Sequence, residues 1–231
     1  MTRETTAAEE HGPEARGLRL VPVLLVMTVV SGLIDAVSYL GLGHVFTANM
    51  TGNVAVLGFA AASAPGFSAP YSLVSLGSFL LGAVVGGRAG RRYGGDSRRA
   101  WARMTLAVEA VLLGTASAVA HTTPGTTGTV YALIALTAFA MGVRNATVRK
   151  LAVPDLTTTT VLTTTLTGLA SDSRAAGGSG KRSPRRAASA LALLAGAALG
   201  GWLVIHRGLA IPLLIASLTT ATLAVTVSER E

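Results

Sequence analysis

Residues 88–103, Arg88-Ala-Gly-Arg91-Arg92-Tyr-Gly-Gly-Asp96-Ser-Arg98-Arg99-Ala-Trp-Ala-Arg103, decide how this chain is folded. Six arginines are packed into a connection between long runs without charge. No Asp, Glu, Lys or Arg occurs from Ala36 to Gly87, from Ala110 to Val143, from Ala187 to His206, or from Gly208 to Ser228. Runs of that length and polarity read as transmembrane helices, which need roughly 20 mostly apolar residues. The whole chain of 231 residues agrees, being 50% hydrophobic and 13% charged, with no cysteine and a mean hydropathy of +0.55. Soluble chains carry about 25% charged residues, so too little polar side chain exists here to cover a water-facing globule. Soluble enzyme, DNA-binding domain and disulfide scaffold are excluded.

The apolar segments are 18–42, 45–62, 71–87, 103–120, 128–148, 156–171, 187–206 and 208–227. No small-x-small cleavage site follows the first, so it reads as a retained helix, not a signal peptide. Two segments are unusual. Leu156–Ser171 gives about 24 Å of helix at the usual rise, against a hydrocarbon core of ~30 Å, and is crowded with threonine. The 45–62 segment opens on Thr47, Asn49, Thr51 and Asn53. Both suit short re-entrant or broken helices, which must lie against protein or a water-filled cavity.

The basic loop chooses between topologies, because cytoplasmic loops collect Lys and Arg. If all eight segments cross, with the N-terminus inside, nine basic residues fall inside and ten outside. If the two odd segments do not cross, eighteen fall inside (3 before the first span, 6 in 88–103, 3 in 144–150, 5 in 174–186, and Arg230), and only Arg207 outside. The expectation is therefore an all-α membrane protein with six transmembrane helices, two short re-entrant or broken helices, and both termini cytoplasmic. Residues 1–17 form a disordered cytoplasmic tail, 18–227 a single membrane domain, and 228–231 a second tail. The net charge of +8 is an orientation signal, not a sign of nucleic acid.

The same four-part unit is used twice, over 18–120 and 128–227. Gly82-Ala-Val-Val-Gly86-Gly87 matches Gly196-Ala-Ala-Leu-Gly200-Gly201, and Gly32-Leu-Ile-Asp35-Ala36 matches Gly142-Val-Arg144-Asn145-Ala146. Three crossings per unit would invert the second, as in many secondary transporters with a site between repeats. Shared Ala/Gly composition is the blander explanation. Gly82, Gly86, Gly196 and Gly200 are expected at helix contacts, where small residues permit close approach in lipid.

Asp35 is the leading intramembrane ionisable residue. A carboxylate at a span's centre costs about 2.5–3.5 kcal/mol on insertion scales and usually faces a cavity or partner. It reads as a proton or cation site, or as a group that caps its neighbours near the interface. Asn145, its counterpart, cannot titrate. Thr47, Asn49, Thr51 and Asn53 lie at one short-helix start; Thr157, Thr159 and Thr163, after Pro154 and Asp155, lie at the other. Helix starts leave N–H groups unpaired and carry partial positive charge, so two converging starts suit a small polar or anionic solute. Alternatively, these side chains only satisfy broken backbone. Glu109 either lines a pathway or reaches the cytoplasmic interface, while Arg144 counts among the topology-setting cations. His11, His44, His121 and His206 form no ligand-spaced pair, so no metal or other cofactor is expected. With no nucleophile, base and orienting group together, neither is enzyme activity.

The strings Gly32-Leu-Ile-Asp35-Ala36-Val-Ser-Tyr39-Leu, Val45-Phe46-Thr47-Ala48-Asn49-Met50-Thr51-Gly52-Asn53 and Met141-Gly142-Val-Arg144-Asn145-Ala146, with Leu166-Thr167-Gly168-Leu169, resemble the YoaK-like family of bacterial multi-pass membrane proteins. That resemblance implies a plasma (inner) membrane location and supplies no activity. The leading expectation is a small secondary transporter of a small polar or anionic solute, with proton coupling an option. A passive channel-like pore and a non-transporting membrane scaffold remain the alternatives. The partners expected are the lipid bilayer and an unknown small solute, with no nucleic acid.

Overall fold

Backbone N–H and C=O groups find no water in a hydrocarbon environment, so long apolar runs must bond internally as helices. The computed structural model of the protein describes residues 13–93, 98–151, 162–178 and 183–226. Among these, the helices are α1 (Pro13–Gly41), α2 (Met50–Ala61), α3 (Ala69–Tyr93), α4 (Arg98–Thr122), α5 (Thr127–Leu151), α6 (Leu162–Ser171), α7 (Ser183–Arg207) and α8 (Ala210–Thr226), with a single 3-10 turn at Arg174–Ala176. Residues 1–12, most of the expected tail, lie outside the described residues, as do 227–231.

Most helices overrun the apolar cores that announce them. α3, α4, α5 and α7 have 25 residues each, about 37 Å at the usual rise, longer than a ~30 Å hydrocarbon core. Five helices, α1, α3, α4, α5 and α7, are long and apolar enough to cross a membrane. α8 is apolar but has 17 residues, about 25 Å. Of the 45–62 segment, helix forms over 50–61; of the 156–171 segment, the described residues 162–171 are helical, and 152–161 lie outside the described residues. At 12 residues, α2 reaches only about 18 Å, too short for a ~30 Å core.

The core gathers Val30, Leu33, Ile34 and Val37 from α1, Leu113 and Ala116 from α4, Leu133, Ile134 and Met141 from α5, and Leu213 and Ala216 from α8. α3 and α7 flank it, exposing Leu80, Leu81, Val84 and Val85, and Leu191, Leu194, Trp202 and Ile205. Outward rows of large apolar side chains suit lipid, not water.

Helix pairing follows the small residues. α3 packs along α5, α1 along α7, and α4 along α8. A Cβ on Gly32 would strike the Leu193 carbonyl and sit 2.8 Å from Ala197 N; on Gly142 it would strike the Phe79 carbonyl and sit 2.9 Å from Ala83 N. Gly196 lies against Val29 as Gly82 lies against Phe139, and Gly200 meets Leu33 and Ala36 as Gly86 meets Val143 and Ala146. Adding 110 to each α1 number and subtracting 114 from each α7 number converts every one of these α1–α7 contacts into an α3–α5 contact (32 + 110 = 142; 196 − 114 = 82). Residue numbers rise together in both pairs, so each runs parallel. α4 and α8 run antiparallel: Ser117 donates to the Ala210 carbonyl at 2.8 Å and Ser217 to the Ala110 carbonyl at 2.7 Å.

Candidate functional site

The chain between α1 and α2 turns through left-handed backbone at Gly43 (φ +82°) and His44 (φ +59°) and then runs inward. Val45, Thr47 and Ala48 are buried. Asn53, fully buried on α2, clamps this segment: its Oδ1 accepts from the Phe46 N–H at 2.8 Å, and its Nδ2 donates to the Phe46 carbonyl and to Ser75 Oγ at 2.9 Å. Ser75 of α3 donates to the same carbonyl at 2.6 Å. Asn49 caps α2, its Oδ1 accepting from the Gly52 N–H at 3.3 Å, as Asn does at this position.

Asp35 reaches this cap from α1. Its buried carboxylate accepts from the Ala48 N–H at 2.9 Å, and the amides of Asn49 and Thr47 act on it too. The partial positive charge at the start of α2 is therefore answered by the protein's own carboxylate. Thr47 Oγ1, also buried, has no hydrogen-bond partner.

Arg144 supplies the cation opposite. The sequence reading put it with the loop cations, but it lies within α5 and is among the largest fully buried side chains. Nη1 donates to the Met27 carbonyl of α1 at 2.7 Å, and Nη2 contacts Met141 Sδ. Nη2 also pairs with Glu109 Oε1 of α4 at 3.3 Å, with side-chain exposures of 2% and 0%. Neither Glu109 oxygen has a hydrogen-bond partner, nor has Arg144 Nε. Arg144 also interacts electrostatically with Asp35. One helical turn away, the hydroxyls of Thr105 and Thr147 bond across the same α4–α5 seam at 3.1 Å.

The site thus contains two carboxylates and one guanidinium where α1, α4 and α5 meet. Of the residues expected to line a pathway, Asp35, Thr47, Asn49 and Asn53 come together; Thr51 is exposed on α2. Asn145 is half-buried beside Arg144 and donates to the Met141 carbonyl at 2.8 Å. Thr163 is exposed on α6, and Thr157 and Thr159 lie outside the described residues. Arg144 is what sequence reasoning missed. The available signal was its position between Gly142-Val143 and Asn145-Ala146, inside the repeated motif and more than a helical turn before Arg149 and Lys150.

The family profile described as Protein of unknown function (DUF1275) matches residues 23–226. The UPF0700 transmembrane protein YoaK of Bacillus subtilis (strain 168) is 32% identical over 153 residues. That stretch covers 65% of this chain and 65% of that protein, so it falls short of two thirds of the relative's length. No solved structure matches.

Proposed function

We propose a transport function from the premise that this chain belongs to the family of proteins of unknown function DUF1275, multi-pass membrane proteins with no assigned activity. The protein is a small secondary transporter of a small polar solute, seated in the plasma membrane with both termini cytoplasmic. The observation that carries this reading is the burial of Asp35, Arg144 and Glu109 together where α1, α4 and α5 meet. Ionisable groups at membrane depth are costly and mark solute or ion pathways.

Helix directions support six crossings. With eight, α4 and α8 would be the fourth and eighth spans and run parallel, whereas they are antiparallel. One segment between them must turn back, and the 156–171 segment, charge-free over only 16 residues, is the shortest of the three. With α6 excluded, the parallel run of α1 and α7 requires that α2 turn back as well. The matched glycine contacts support two equivalent units, inverted by their three crossings each. Because Asp35 already accepts from the Ala48 N–H just ahead of α2, an anionic solute would meet its carboxylate there, which favours an uncharged polar solute or proton exchange.

Purified protein in liposomes should accumulate a member of a small-metabolite panel under an imposed pH gradient. Asp35→Asn removes the charge and keeps one amide oxygen to accept from Ala48, with the second carboxylate oxygen replaced by an NH2 donor. It is expected to abolish accumulation at unchanged abundance. Uptake indifferent to the gradient would indicate a pore; no flux across the panel together with a silent Asp35→Asn would leave a scaffold. The scaffold reading draws on the internal satisfaction of Asn53 by Phe46 and Ser75.

A further inference from the structure

We propose that Glu109 is a proton-binding site coupled through Arg144 to Asp35. The inference deepens the transport reading by naming the coupling ion, and it can be tested without any flux.

Charge count comes first. The buried cluster holds two carboxylates and one guanidinium, so one negative charge is unbalanced when all three are ionised. Among the described residues no other cation is near. α8 carries no ionisable side chain along Ala210–Thr226, and from α3 the nearest are Arg88, Arg91 and Arg92 at its exposed end. On α4 itself, Arg103 is about 9 Å along the axis from Glu109 by helical rise. On α5, Arg149 and Lys150 are exposed beyond Arg144.

The carboxylates differ in what holds them. Asp35 is met by backbone N–H groups of the 47–49 segment, donors that stabilise its ionised form. Glu109 has only the guanidinium at 3.3 Å, and both its oxygens lack hydrogen-bond partners in a fully buried setting. A buried, unsatisfied polar group marks a missing partner, and the missing charge is +1. No group of three or more His, Cys, Asp or Glu side chains suited to a metal exists among the described residues. A proton needs no such cage: it converts the Glu109 carboxylate to a neutral carboxyl.

Protonation also removes the anion that Arg144 pairs with. Asp35 is then the remaining anion that acts on the guanidinium, and Arg144 has an unused Nε–H to offer. Asp35 in turn holds Ala48, at the base of α2.

The test is infrared difference spectroscopy on full-length protein in lipid nanodiscs, titrated from alkaline to acid. A protonated-carboxyl C=O band should appear, and should shift when wild-type protein is labelled with 13C-glutamate. It should vanish in Glu109→Gln and persist in Asp35→Asn. In the latter, Arg144 keeps Glu109 as its only anion, so proton binding should weaken by on the order of tenfold, equivalent to about 1.4 kcal/mol. A band that ignores the glutamate label, no band at all, or a band displaced by sodium at fixed pH overturns the proton site. Unchanged proton binding in Asp35→Asn overturns the coupling. The labelled wild-type measurement stands even if Glu109→Gln does not fold, and a band without any solute flux leaves the site intact while removing the transport reading.

Discussion

Arg144 has no water to fall back on. Its guanidinium touches the Met27 carbonyl, Met141 and Glu109, and its exposure is 1%. Removing one partner of a buried ion pair leaves the other uncompensated and costs about 3–5 kcal/mol, whereas replacing both by apolar residues of similar volume is often neutral. Arg144→Met should therefore lower the unfolding midpoint in detergent strongly, and Arg144→Met with Glu109→Leu should recover most of the loss. If the double variant is as unstable as the single one, the pair is not the source of the instability. Only part of this buried charge cluster was legible in the sequence. Asp35 stands out because apolar residues surround it, whereas Arg144, just upstream of Arg149 and Lys150, looks like part of a cytoplasmic cluster. Moving it from loop to core leaves seventeen basic residues on the expected inner side (18 − 1), so the charge argument keeps its direction while the assignment of Arg144 does not stand. What hid the residue is that burial depends on which face of α5 meets α1 and α4, a tertiary fact.

At the scale of the element, the glycines separate into those that permit contact and those that do not. Gly82 and Gly142 each lie against the partner helix's backbone, as do Gly32 and Gly196, while a Cβ on Gly87 meets nothing within 4 Å. Backbone cannot yield as a side-chain tip can, so Gly82→Ala and Gly196→Ala force their helices apart. Overpacking of this kind typically costs about 1–3 kcal/mol. Gly87→Ala, in the same helix as Gly82, should be neutral, since it adds a methyl to open space and improves helix propensity. Thermal melts of the three variants in one detergent check this; equal losses at Gly82 and Gly87 would mean that propensity, not packing, sets the response. The GxxxG-type spacing was readable in the sequence. Which helix each motif meets was not, because the partners, α5 for α3 and α1 for α7, are remote in the chain. Similarly, the polar run Thr47–Asn53 announced an interrupted segment, but the clamp on Phe46 depends on Ser75, supplied by α3.

Across the whole molecule, two independent lines bear on the path of the chain through the bilayer. Basic residues favour one face for the 88–103 loop, and the antiparallel α4–α8 pair together with the parallel α1–α7 pair favours a chain in which α2 and α6 do not cross. They meet in a prediction that the absence of native cysteine makes clean. Single cysteines at Tyr93, His121 and Ser173 occupy the end of α3, the end of α4 and the turn after α6; Tyr93 and His121 are exposed and Ser173 half-buried. With six crossings, Tyr93→Cys and Ser173→Cys face the cytoplasm and His121→Cys the outside. With eight, Ser173→Cys is unchanged but the other two exchange sides. Intact cells treated with a membrane-impermeant maleimide should therefore label His121→Cys alone, with Tyr93→Cys and Ser173→Cys reacting only after lysis. Labelling of Tyr93→Cys in intact cells would restore eight crossings, align both units the same way up, and remove the inverted arrangement on which a site shared between the two units depends.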